Sequence, residues 1–272
     1  MSFAAPKPFP RPGVRRFGRV NWRGLWTLYL KEVRRFMKVG VQTILAPVST
    51  TVLFLVVFFF ALGRTRAEVA GMAFVEFLTP GLIMMAILQN AFANTSSSLL
   101  ISKVQGNIVD ILMPPLSVGE LNLGLALGGL TRGLVVAVCT ALIILPFVNL
   151  GVAHIWAVIW FPFVGAAIMS LTGIIGGIWA EKFDHMQAIT NFVITPLAFL
   201  SGTFYSLKDL PGIAFTIAQF NPFFYLIDGF RYGVTGYADG NIAIGVGVTL
   251  AVVVGLYVSS FLLLRSGYHI KA

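Results

Sequence analysis

Charged side chains are scarce in this sequence. Of its 272 residues only 11% are Asp, Glu, Lys or Arg, whereas 57% are apolar. Soluble domains carry about 25% charged residues, and a soluble domain of this length needs them to cover its core. We therefore expect the apolar side chains to lie in lipid, which makes the chain an integral membrane protein.

Several chemical signatures are also missing. The sequence has no G-x-x-x-x-G-K-[ST] loop, so no phosphate-cradling nucleotide site is expected. Its three histidines are scattered, no His, Cys and carboxylate cluster has metal-ligand spacing, and no paired Asp motif of a membrane transferase occurs. The centres of the long apolar runs hold no acid that could relay protons. These absences argue against an enzyme, a metal site and an ion-coupled secondary transporter.

The basic residues are concentrated at the start of the chain, where the first 38 positions hold ten of the 19 Lys and Arg residues. Because a long apolar run follows directly, this block favours anionic lipid at the cytoplasmic face over nucleic acid. Residues 1–20 lack periodicity and predict a disordered basic tail. Residues 21–38 place aromatic and apolar side chains at helical spacing with cations between them, which predicts an amphipathic interface helix. Its candidate interface residues are Trp22, Trp26, Arg34 and Arg35.

Gaps between the charged residues define the membrane spans. Each crossing needs about 20 apolar residues, and the uncharged stretch 133–180 is long enough for two, with a turn near Pro146. The sequence thus predicts an all-α integral membrane fold in which residues 39–272 form one transmembrane domain. The six predicted spans cover about 43–62, 78–100, 118–146, 155–179, 188–203 and 241–264.

Arg132 interrupts the third predicted span. Two interpretations stay open: the side chain snorkels or pairs, or it lines a polar cavity. No comparable question attaches to the single cysteine, Cys139, which lies in an apolar run and is interpreted as a packing residue.

Lys and Arg counts give the orientation. With the amino terminus inside and Arg132 left aside, inner segments hold 14 cations and outer segments four, which predicts that both termini are cytoplasmic. The segment 203–240 contains two apolar runs that are each too short to cross. We predict that they form an outer re-entrant helical hairpin between spans five and six.

The first inner loop, 102–117, has helical apolar spacing through Val104, Ile108, Ile111 and Leu112 and then Pro114-Pro115. It predicts a short helix that could receive force from a partner, with a simple connecting turn as the alternative. Small-residue pairs four apart, which permit close helix approach, are a weaker signal in a chain with 28 glycines. They are Gly124 with Gly128, Gly129 with Gly133, and Gly173 with Gly177.

Two segments carry a family resemblance. Ser201-Gly-Thr-Phe-Tyr-Ser, continued by Asn221-Pro-Phe-Phe-Tyr-Leu-Ile-Asp-Gly-Phe-Arg-Tyr-Gly, closely resembles the signature of the ABC type-2 transporter permeases. The loop from Gly106 to Pro115, with the Gly-rich third span after it, is similar to the first cytoplasmic loop of that family. The resemblance covers nearly the whole chain.

The resemblance implies a half-transporter that is not itself catalytic. Two copies of the chain would form the membrane unit, and two copies of a separate ATP-binding cassette ATPase would bind ATP and Mg and drive it. The coupling loop would contact that ATPase, although Lys103 departs from the Arg-rich start that many relatives have. The implied coupling residues are Lys103, Gln105, Gly106, Asn107, Asp110, Met113, Pro114 and Pro115.

The same resemblance implies two further groups of residues. An outer re-entrant gate would include Asn221, Pro222, Asp228 and Arg231. A candidate transport path along the dimer axis would be lined by Asn90, Asn94, Asn191, Thr195 and Phe199.

The leading functional hypothesis is therefore the membrane subunit of an ATP-driven exporter in a bacterial inner membrane, which moves a lipid-linked, glycan or hydrophobic cargo outward. An ATP-independent lipid scramblase or channel is the main alternative, and a membrane scaffold that moves nothing is a third.

Overall fold

The structure is a computed structural model that describes residues 20–62, 68–69, 71–209 and 211–269. The described part is almost entirely helical, and its two short strands pair antiparallel. The predicted basic tail lies, apart from Val20, outside the described residues. In chain order the elements are α1 (Trp22–Lys38), a π-helical turn (Val41–Leu45), α2 (Ala46–Leu62), β1 (Glu68–Val69), β2 (Met72–Ala73), α3 (Phe74–Val104), α4 (Ile108–Leu112), α5 (Val118–Ile144), α6 (Ile155–Trp179), α7 (Phe183–Ile189), a second π-helical turn (Thr190–Ile194), α8 (Thr195–Phe199), a 3₁₀ turn (Leu207–Asp209), α9 (Gly212–Gln219), α10 (Pro222–Thr235) and α11 (Ile242–Ser266).

Five helices of the described part are long and apolar enough to cross a bilayer. They are the helix Val41–Ala61, α3, α5, α6 and α11, which confirms the all-helical membrane fold. The fifth predicted span, 188–203, overlaps the consecutive segments α7, the second π turn and α8. Together these segments reach only about 25 Å at 1.5 Å per residue. The sixth crossing and the re-entrant hairpin therefore stay predictions.

The central helix of the bundle is α3, which packs against α2, α5, α6 and α10. Side chains on every face of α3 are buried, as expected for a helix surrounded by others. Two of the predicted glycine pairs permit this packing. The backbone oxygens of Ala91 and Ile87 would lie 2.9 and 3.1 Å from Cβ atoms on Gly129 and Gly133 of α5, and Phe92 and Ser96 approach Gly173 and Gly177 of α6 equally closely.

The third glycine pair lies where α1 packs on α5. Leu28 covers Gly124 and Glu32 covers Gly128, so the two helices run in the same direction along the first half of α5. The buried face of α1 consists of Leu28, Glu32 and Phe36. The predicted amphipathic helix is thus tied into the bundle by this face, while Trp22 and Trp26 stay exposed.

The bundle has two distinct ends. At the first, here called the α4 end, one apolar cluster joins α1, α4, α5, α6 and α11 through Leu28, Ile108, Leu121, Ile178 and Leu264. The opposite end, here called the hairpin end, holds the β1–β2 pair, the last turn of α5 and the segment from α9 to α10.

Candidate functional site

The α4 end is named for α4, a short helix that is exposed on one side. Gly106, in the left-handed region at φ 73°, turns the chain out of α3 into α4, a conformation that glycine adopts at little cost. Ile108 and Ile111 are buried in the apolar cluster of that end, while Val109, Leu112 and Met113 on the other side are exposed. The helix therefore rests on two isoleucines and presents an apolar outer face.

Lys103, just before α4, holds the end of α6. Its ammonium donates to the backbone oxygens of Ile178 and Ala180 at 2.6 and 2.7 Å, as cations do at helix carboxyl ends. Of the eight predicted coupling residues, Lys103 thus already makes its hydrogen bonds within the chain. The other seven, Gln105, Gly106, Asn107, Asp110, Met113, Pro114 and Pro115, are exposed around α4.

A hydrogen bond also joins the loop after α4 to the start of α1. The side-chain amide of Asn21 donates to the Pro115 oxygen at 3.0 Å, and the Asn21 N–H donates to Glu120 Oε1 at 2.5 Å. Because Glu120 also completes a capping box with Ser117, one carboxylate joins the starts of α1 and α5. The α4 loop is therefore connected to the first turns of both helices.

The predicted interface residues of α1 have two kinds of surroundings. Trp22, Trp26 and Arg34 are exposed. Arg35 instead turns into the bundle and pairs with Glu32 at 3.1 Å, and its Nη2 donates to both the backbone oxygen and Oδ1 of Asn94. Glu32 is fully buried and accepts a second bond from the Ser98 hydroxyl at 2.8 Å.

The five predicted path residues fall into two groups. Asn90 and Asn94 are buried in α3, where their side-chain oxygens accept bonds from Arg132 and Arg35. The other three, Asn191, Thr195 and Phe199, lie along the segment of the second π turn and α8, where Asn191 and Phe199 are exposed. A cleft of about 360 Å³ separates α3 from α7 and the second π turn, lined by small side chains such as Ser96 and Ser97 of α3.

The predicted outer gate is held together by buried polar bonds. Asn221 caps α10 by accepting from the Phe223 N–H, and its amide donates to the Leu197 oxygen at 2.8 Å; Pro222 fills the first helical position. The Asp228 carboxylate accepts from the N–H groups of Asp239 and Gly240 at 2.8 and 2.9 Å. Burial raises the pKa of the Asp228 carboxyl, an effect that these two donors oppose.

Arg231 is the largest buried side chain of the described residues. It donates to the backbone oxygens of Phe77 and Gly202 at 3.2 and 2.7 Å, lies over the Phe77 ring at 3.8 Å and approaches Asp239 at 4.0 Å. Asp228 and Arg231 therefore do not pair with each other; each fixes a neighbouring segment of backbone instead.

The sequence analysis missed two acids that organise these sites, Glu32 and Asp239. Glu32 has a readable signal, because it lies four residues after Leu28 and four before Phe36, on the apolar face of α1. Asp239 accepts from the Ser206 hydroxyl and the Leu207 N–H across 33 and 32 residues of chain, and no local spacing reveals these contacts.

These features define a class of protein: a helical membrane bundle with a short exposed helix at one end and polar side chains buried among its spans. Residues 23–235 match the family model of the ABC-2 type transporter, and the chain belongs to that family. The chain is 35% identical over 252 residues to the inner membrane transport permease YadH of Escherichia coli K12, covering 92% of this chain and 98% of YadH. It is also 26% identical to nodulation protein J of Rhizobium leguminosarum bv. viciae, covering 91% and 95% of the two chains.

Proposed function

We propose that this chain is the membrane-spanning subunit of an ATP-driven exporter that moves a lipid-linked, glycan or hydrophobic cargo out of the cytoplasm. Two copies of the chain form the membrane unit, and two copies of a separate ATP-binding cassette ATPase bind ATP and Mg. Membership of the ABC-2 family and similarity to a transport permease support this proposal. The observation that carries it is the exposed apolar face of α4.

The contacts of α4 suggest how force from the ATPase reaches the bundle. Displacing α4 moves Ile108 and Ile111, which pack in one cluster with side chains of α3 and α6. The bond from Asn21 to Pro115 passes the same displacement to α1, and Glu120 passes it to α5. Closure of the ATPase pair would shift the bundle between two arrangements because one of them binds the closed ATPase better.

The location and topology belong to the same proposal. The chain resides in a bacterial inner membrane, the place that the name of YadH gives for that relative. It crosses six times, with the segment of α7 to α8 as the fifth span, and its termini and α4 face the cytoplasm. Residues from α9 to α10 form the re-entrant gate at the outer face.

The test compares charge reversal at the two ends of the bundle. The tagged chain is co-expressed with its ATPase and purified, and vanadate-sensitive ATP hydrolysis is measured in the eluate. Because Asp110 lies on the exposed part of α4, we expect the reversed charge of Asp110→Lys to remove most of that hydrolysis, on the order of tenfold. Glu68→Lys, an exposed acid at the hairpin end, is the matched control and should leave it unchanged.

Two results would contradict the proposal. Equal hydrolysis in both variants would remove α4 as the docking element. Lipid scrambling or ion flux in liposomes that contain the purified chain without any ATPase would favour the passive scramblase or channel instead.

A further inference from the structure

Arg132 places a positive charge near the middle of α5, where its side chain is partly buried. It lies 14 residues into α5, about 21 Å from the start of that helix and about 18 Å from its end. Its guanidinium makes one hydrogen bond within the described residues, from Nη2 to Asn90 Oδ1 at 3.0 Å, and its Nε is buried without a partner. A guanidinium has five N–H donors, so most of its binding capacity is unused.

Arg35 shows by contrast how this bundle satisfies a partly buried cation. Arg35 is neutralised by Glu32 at 3.1 Å and donates to Asn94 and Ser97. Arg132 has no carboxylate within 4.0 Å among the described residues. A charge at this depth costs several kcal/mol unless it is compensated, so Arg132 requires a counter-charge.

No acid side chain that the structure describes lies close enough to supply it. The described side chains include nine of the ten Asp and Glu residues, and the tenth, Asp209, belongs to the 3₁₀ turn at the hairpin end. Four acids lie at the α4 end and five at the hairpin end. The gate residue Arg231 binds Phe77 at the hairpin end, and Phe77 lies about 20 Å along α3 from Asn90. The remaining acid, Glu32, accepts a hydrogen bond from Ser98, which lies about 12 Å along α3 from Asn90, and it already pairs with Arg35. The counter-charge therefore comes from outside the protein.

A groove passes beside Asn90, the residue that binds Arg132. It has a volume of about 110 Å³ and lies between α2 and α3, where Thr50, Thr51, Gln89 and Asn90 are the polar members of an otherwise apolar lining. Asn90 lines the groove, and its side-chain oxygen accepts the bond from Arg132. The Gln89 amide has no hydrogen bond to any described residue and is partly exposed in the groove. Acyl chains cannot satisfy these groups, whereas an anion can.

We propose that Arg132, Asn90 and Gln89 form a binding site for a phosphate-bearing group, which enters the groove between α2 and α3 and neutralises Arg132. Phosphate suits this arrangement because arginine donates to its oxygens in parallel pairs, and charge-assisted bonds of this kind are strong at low dielectric. The group is borne by a lipid or is a free phosphate anion. The site requires no ATPase and does not depend on the proposed export activity.

The experiment measures thermal unfolding of the purified chain in a neutral detergent. Three probes are added separately: phosphatidic acid, phosphatidylcholine and inorganic phosphate. A ligand that binds only the folded chain raises Tm with its concentration. We expect a saturable increase with phosphatidic acid and none with phosphatidylcholine. A matching increase with inorganic phosphate shows that the anion suffices, and its absence shows that the lipid chain contributes; either result supports the site.

Three variants make the test specific. Arg132→Gln should weaken phosphatidic acid binding at least about tenfold, the lower range for a lost charge-assisted hydrogen bond, and should raise Tm without ligand because an uncompensated charge is removed. Gln89→Leu, at a partly exposed position that does not endanger folding, should weaken binding less. Arg265→Gln removes an exposed cation from the last turn of α11 and should leave binding unchanged.

The proposal is overturned if no phosphate probe raises Tm, or if Arg132→Gln and Arg265→Gln respond to phosphatidic acid as the unmodified chain does. If Arg132→Gln does not fold, unchanged binding by Gln89→Leu overturns it. None of these measurements involves ATP hydrolysis, so failure of the phosphate-site proposal can be distinguished from failure of the exporter proposal.

Discussion

At the scale of single residues, close packing of the bundle depends on glycines, because they have no side chain. A Cβ on Gly173 of α6 would overlap the Thr95 hydroxyl and lie 2.7 Å from the Phe92 oxygen of α3. A Cβ on Gly255 of α11 would meet nothing within 4 Å. The two glycines therefore differ in physical role although both lie inside long apolar helices.

This difference predicts opposite effects of one substitution. Gly255→Ala should stabilise the chain by about 0.5–1 kcal/mol, because alanine loses less conformational entropy in a helix. Gly173→Ala should destabilise it by about 1–3 kcal/mol through overpacking between α3 and α6. Thermal unfolding in detergent measures both, each variant serving as the control for the other. If Gly173→Ala lost no Tm, the close approach of α3 and α6 would be unimportant, and if Gly255→Ala lost Tm as well, the two positions would not differ as predicted.

At the scale of elements, one carboxylate joins two helices. Glu120 accepts from the N–H of Ser117, which starts α5, and from the N–H of Asn21, which starts α1. Neither donor lies within a helix ladder, so both depend on this acceptor or on water. The link ties the amphipathic helix to the bundle at the end where α4 lies.

Removing this link should release the start of α1. In Glu120→Ala the buried Asn21 N–H loses its acceptor, at a cost of about 1–3 kcal/mol. Hydrogen–deuterium exchange of the chain in nanodiscs should then be faster for the first turn of α1 and unchanged for α11. Glu181→Ala, which removes an exposed acid at the same end, is the control. If both variants protect α1 equally, Glu120 does not anchor it.

How far elements could be predicted from the sequence depends on whether their signal is local. The apolar runs mark α3, α5, α6 and α11, and the spacing of Leu28 and Phe36 marks the buried face of α1. The capping box of Ser117 and Glu120 is equally local. By contrast, the bond from Asn21 to Glu120 spans 99 residues and that from Arg231 to Phe77 spans 154. Such partners are set by helix packing, which no sequence window contains.

The predicted fifth span illustrates another difficulty. Residues 188–203 are uncharged, but the helical run begins earlier, at Phe183, ends earlier, at Phe199, and contains a π turn. A count of uncharged residues misses the start of this helix because the charged residue Asp184 belongs to its first turn. For the candidate site, the sequence indicates which residues are polar but not which of them share a surface. The predicted path combines Asn90 and Asn94 with Asn191, whereas Asn90 and Asn94 are buried in α3.

At the scale of the whole molecule, the two ends of the bundle must face opposite sides of the membrane. The last turns of α11 return to the α4 end, where His269 lies 3.5 Å from Glu181 and Leu264 packs in the same cluster as Ile108. Glu68 lies at the other end of α3. Since α3 and α11 each exceed the length of one crossing, the structure and the count of cations together predict a cytoplasmic α4 end.

Cysteine labelling tests this topology with little disturbance, because the chain has only one cysteine to remove. In a Cys139→Ala background, single cysteines are introduced as Asp110→Cys, Ser266→Cys and Glu68→Cys, all at exposed positions. A membrane-impermeant maleimide applied to intact spheroplasts should label only Glu68→Cys, and applied to inverted vesicles only the other two. Labelling after solubilisation controls for reactivity. If Ser266→Cys were labelled together with Glu68→Cys, α11 would end on the outer side and the even number of crossings would be wrong.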